Sequence, residues 1–143
     1  MKQSTYDTLN EYAANRTGIN GRYISSTPFH PVYSKPDKTA ENCCAFVASY
    51  TAKRRGSDTG VVIEVTFTET KDDRLEFKLS MCNQIKFYGS KLVPEVKPVG
   101  MVQFGSPEWE AQKAADPISW VARVLKLAAD YADAVAGFMN LSI

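Results

Sequence analysis

The clearest pattern in the chain is an alternation of period two. Val61, Ile63, Val65 and Phe67 are apolar and alternate with Glu64, Thr66 and Thr68. After the turn residues Thr70-Lys71-Asp72-Asp73, the alternation resumes. Leu75, Phe77, Leu79 and Met81 are separated by Glu76, Lys78 and Ser80. Successive strand side chains point to opposite faces, so this pattern predicts an antiparallel hairpin with one dry and one wet face. Residues 85–88 and 99–104 read as further strands, giving a β-meander over 60–104.

Helical spacing appears on both sides of the meander. Ser4 precedes Tyr6, Leu9 and Ala13, which share one helical face, and Gly18 closes a helix over 1–18. Residues 38–56 also read as a helix. Ala40, Cys43, Cys44, Val47 and Thr51 recur at three- and four-residue spacing, and Lys53-Arg54-Arg55-Gly56 has the form of a basic last turn and a C-terminal glycine. Helices over 106–141 open at Ser106-Pro107 and Asp116-Pro117. In the last helix Val121, Val124, Leu125, Ala128, Ala132 and Val135 form an apolar stripe, which Trp120, Leu127, Tyr131 and Phe138 widen. Residues 19–37 hold Pro28, Pro31 and Pro36 and read as a long loop. The fold class expected is α+β: a single domain in which an antiparallel meander of three to five strands carries helices on one face.

Composition changes this picture little. With 143 residues, 44% hydrophobic and 23% charged, the chain is an ordinary globular domain. Lys+Arg 17 against Asp+Glu 16 gives a net charge of +1, so there is no global attraction to nucleic acid or anionic lipid. Nothing approaches a membrane-spanning run, and the polar start Met1-Lys2-Gln3-Ser4 predicts a cytoplasmic protein. Three irregularly spaced cysteines and a single histidine fit neither a disulfide framework nor a zinc site, and no cofactor is expected.

Candidate chemistry is sparse. A Cys–His hydrolase or transferase would pair Cys43 or Cys44 with His30, but both cysteines fall in a strongly apolar helix and are expected to be buried and inert. A nucleic-acid-binding sheet face could draw on Lys53-Arg54-Arg55 with Lys71, Arg74, Lys78, Lys86 and Lys91, and on Phe87 and Tyr88 for stacking, but Glu64, Glu69, Asp72, Asp73 and Glu76 are interleaved with the cations. Phosphate-binding, nucleophile-elbow and metalloprotease motifs are absent from the sequence.

The reading that remains is a non-catalytic interaction protein of adaptor, immunity or inhibitor type. Its binding candidates are Arg22, Tyr23, Phe29, His30 and Tyr33 in the long loop and the basic run Lys53, Arg54 and Arg55. The partner expected is another protein, with nucleic acid as the alternative. A homodimer through Trp120, Leu127, Tyr131 and Phe138 is also expected, with Arg123 and Lys126 of one copy facing Asp130 and Asp133 of its twin.

Overall fold

A computed structural model describes residues 1–16, 18–53, 60–84, 90–91 and 107–138. Helix α1 (Gln3–Ala14) precedes strands β1 (Ser25–Tyr33), β2 (Cys43–Lys53), β3 (Gly60–Glu69), β4 (Leu75–Gln84) and β5 (Ser90–Lys91). Helices α2 (Pro107–Ala115) and α3 (Pro117–Phe138) follow. The strands form one antiparallel sheet in the order β1-β2-β3-β4-β5, a meander. The helices pack on one face of it, so the α+β architecture is as the periodicity predicts. The expected strands at 85–88 and 99–104 lie outside the described residues.

The segment 38–56 is corrected: β2 replaces the expected helix. Residues 37–42 form only a turn, in which the Asn42 N–H donates to the Thr39 carbonyl at 3.1 Å. Beyond it Phe46, Ala48, Tyr50 and Ala52 are buried, while Val47, Ser49 and Thr51 on the other face are half-buried. Two overlapping patterns were present, and the β-branched and aromatic residues favour the strand. Pairing on both sides then settles the outcome: Phe46 opposes Phe67, Ala48 opposes Val65 and Tyr50 opposes Ile63.

The expected loop 19–37 is corrected as well, because Ser25–Tyr33 is strand β1 on β2. Pro28 and Pro31 are tolerated because β1 lies at the edge of the sheet. Between Thr27 and His30 the register slips by one residue, a bulge that brings Phe29 onto the buried face.

Aromatic rings tie the layers together. Phe29 stacks on Phe46 at 5.2 Å and meets Phe67 edge-on at 5.6 Å. Trp120 of α3 stands edge-on to Phe67 and Phe77 at 6.0 and 5.7 Å. Tyr6 and Tyr12 of α1 reach Phe46 and Phe29 at 6.2 and 5.7 Å. Trp120 and Tyr131 are therefore buried in the chain's own core and do not offer the exposed dimer surface expected of them; Leu127 is half-buried and Phe138 remains 75% exposed.

Helix α1 has no side-chain cap of its own. Glu69 of β3 supplies one from the sheet. Its Oε1 accepts the Lys2 N–H at 2.8 Å and its Oε2 accepts the Thr5 hydroxyl at 2.7 Å. At the far end of the chain, the Asp133 carboxylate of α3 accepts the Tyr23 N–H at 2.7 Å. That approach needs Gly21, since a Cβ there would lie 2.9 Å from Asp133 Oδ1.

Tyr50 anchors β2 under α3 by donating its hydroxyl to the Leu125 carbonyl at 3.0 Å. Burial pushes this phenol from its usual 10.0 up to about 12. The unfolded chain gives up the proton first, so the stabilisation is complete below pH 10 and is lost as pH rises toward 12. Thermal melting between pH 9 and 12 is expected to show a steep fall in Tm above pH 10, and Tyr50→Phe should flatten that fall.

Candidate functional site

The residues singled out in the sequence do not assemble. Phe29 is buried in the core. Tyr33 is half-buried on the helix side, its hydroxyl 2.7 Å from that of Tyr6; lost hydration and this bond push its pKa up to about 12. His30 is exposed on the other face of the sheet, with Nδ1 2.8 Å from the Pro28 carbonyl oxygen. Lys53 is exposed at the end of β2. Arg22 lies 5.1 Å over the Tyr23 ring, which packs against Gly137 near the end of α3. Arg54 and Arg55 lie outside the described residues.

The thiols do not form a reactive centre with His30. Cys43 faces the core and Cys44 faces solvent, the ordinary consequence of adjacent positions on a strand. This corrects the expectation that both are buried. The Cys43 thiol donates to the Ala45 carbonyl, and burial pushes its pKa up, away from the reactive thiolate. Cys44 sits at a second slip in the β1–β2 register and donates to the Val32 carbonyl at 3.3 Å. Among the described residues there is no cluster of three or more His, Cys, Asp or Glu able to hold a metal.

The wet face of the sheet mixes charges. Val47 opposes Thr66, which opposes Lys78; Ser49 opposes Glu64, which opposes Ser80. Phe87 and Tyr88, the stacking residues of the nucleic-acid reading, lie outside the described residues.

A concave feature lies elsewhere among the described residues. A cleft of about 530 Å³ opens between α1, the β3–β4 turn and the corner where α2 meets α3. Leu9, Leu75, Pro117 and Ile118 give it an apolar floor, and Ser4, Thr5 and Thr8 present hydroxyls along α1. That size falls within the ~300–1,000 Å³ typical of ligand sites. The turn that shapes one wall holds Asp73 at φ 61°, a left-handed conformation Asp tolerates better than most residues.

Four of the five ionisable groups lining this cleft, all but Arg74, have a close partner. Glu69 holds the start of α1. Asp73 pairs with Lys2 at 3.1 Å. Lys113 pairs with Glu110 at 3.1 Å and lies 5.4 Å over the Trp120 ring. Arg74 has only long contacts, 3.8 Å to Asp72 and 3.7 Å to Glu76, and remains well exposed. Sequence reasoning missed the cleft because its lining residues look like ordinary helix and turn surface. Only the docking angle of α1 makes them converge.

No protein-family model matches the chain, and no curated protein or solved structure matches it.

Two measurements follow from these placements. Phe29→Ala should cost about 3–5 kcal/mol in denaturant unfolding, while His30→Ala on the same strand should leave stability nearly unchanged. Under native conditions a thiol reagent should modify Cys44 readily and Cys43 only on unfolding, as peptide mapping would show.

Proposed function

We propose that the chain is a non-catalytic interaction protein of the adaptor, immunity or inhibitor type, working in the cytosol, and that it captures another protein at the cleft bounded by α1 and α2. The observation that carries this reading is the apolar floor that Leu9, Leu75, Pro117 and Ile118 give the cleft. Glu69, Asp73, Glu110 and Lys113 each have a partner within the chain, and Arg74 stands exposed at the rim. What the cleft offers a visitor is apolar floor and hydroxyl rim, the makings of a contact surface. Among the described residues, no helix is long and apolar enough to cross a membrane.

The test is a paired capture from the native cell extract. Ala114→Trp fills the cleft from α2, and Ala114 is exposed, so folding should be unaffected. The wild-type chain should retain a protein that Ala114→Trp loses, at unchanged Tm and with nuclease present. Equal capture by both would overturn the cleft reading. Loss of capture on nuclease treatment would favour nucleic acid instead, with a steep dependence on salt.

A further inference from the structure

The charges around the cleft are satisfied unequally, and the inequality has a sign. Its three carboxylates are closely held. Glu69 accepts from the Lys2 N–H and the Thr5 hydroxyl, Asp73 pairs with Lys2 at 3.1 Å, and Glu110 pairs with Lys113 at 3.1 Å. Lys113 is doubly committed, since it also lies over the Trp120 ring, and its side chain is only 19% accessible. Arg74 differs from all four. Its contacts with Asp72 and Glu76, at 3.8 and 3.7 Å, are longer than a hydrogen bond, and both are made by one nitrogen, Nη2. Among the described residues Nη1 and Nε have no hydrogen-bond or ion-pair partner.

Arg74 stands beside apolar ground. It directly precedes Leu75, which shares the floor of the cleft with Leu9, Pro117 and Ile118. A guanidinium fork matches a carboxylate through two parallel N–H···O bonds, and most of this fork is open. An arriving carboxylate displaces nothing of value. Asp72 and Glu76 are 79% and 50% accessible, so they stay hydrated if Arg74 turns away from them. An arriving cation would find every carboxylate of the lining already engaged and would meet Arg74 as a like charge. A cleft of about 530 Å³ takes a few side chains, so one short segment can fill it.

We propose that the cleft recognises its partner through a short acidic-apolar peptide segment. One Asp or Glu of the segment forks onto Arg74, and large apolar side chains next to it lie on the floor made by Leu9, Leu75, Pro117 and Ile118. The apolar contact supplies most of the affinity, and the carboxylate fixes the orientation of the segment and excludes basic ones. Covering the floor also removes water from around the new ion pair, which strengthens it. The inference rests on the cleft reading and narrows it to one chemistry of partner.

A library of random peptides displayed on phage tests it. Peptides are selected on the wild-type chain, synthesised with a fluorophore and titrated by anisotropy. They should carry Asp or Glu beside Leu, Ile, Phe or Trp, and Ala114→Trp should abolish their binding. Arg74→Gln should weaken it about tenfold, and changing the peptide's carboxylate to its amide should cost about as much. The two changes together should cost little more than either alone, because they remove the same pair. Arg74→Glu should reject the acidic peptide and accept its Lys counterpart. The Arg74 side chain is 62% accessible, and a wild-type Tm confirms that each variant is folded. Peptides that Ala114→Trp abolishes but that hold no acidic residue, or for which the two changes add independently, would overturn this inference and leave the cleft reading standing. A selection that yields no peptide sensitive to Ala114→Trp would overturn both.

Discussion

The packing of Phe29, Phe46, Phe67, Phe77 and Trp120 is the constraint on which the rest of this structure depends. These rings come from four strands and one helix, and their centroids lie 5.2 to 6.2 Å from their neighbours. Offset and edge-on ring contacts add about 0.5–1.5 kcal/mol each beyond simple burial, and they also fix relative orientation. The bulge in β1 exists to good effect here, since without it Phe29 would fall on the wet face. The position of α1 follows from the same cluster, because Tyr6 and Tyr12 pack on its outer rings. The cleft is thus a secondary product of core packing: α1 lies where the aromatic residues hold it, and a gap remains between it and α2.

The hairpin β3–β4 and helix α3 were legible in the chain because each carries one uncontested period. Val61 to Phe67 fits a strand and no helix, and the stripe from Trp120 to Val135 fits a helix and no strand. β2 was not legible. Its run Cys44-Ala45-Phe46-Val47-Ala48 is apolar at both spacings, and the basic cluster after it imitates a helix end. The choice between the two lay in pairing with β1 and β3, which is a non-local matter. β1 was hidden by its prolines, whose meaning depends on whether a strand is central or peripheral. The error on β2 also misplaced the cysteines, since a helix would bury both and a strand separates them.

The candidate binding residues stand out in the sequence by type alone, since aromatics and arginine often dominate interfaces. The structure distributes them over the core, the wet face and the end of α3. Phe29 shows why residue type alone misleads: an aromatic residue in a proline-rich segment looks like a mobile contact point until the segment is found to be a strand. The cleft shows the converse. Glu69, Lys113 and Ile118 are unremarkable in sequence, and they meet only through tertiary geometry.

The prolines of β1 bear on how this molecule can meet others. A peripheral strand ordinarily offers a row of backbone donors and acceptors to any extended segment that passes, the basis of both strand-addition recognition and fibril growth. Pro28 and Pro31 carry no N–H, and the bulge between Thr27 and His30 twists the backbone out of line. The margin of the sheet at β1 is therefore closed to backbone templating, and contact from that side has to be made through side chains.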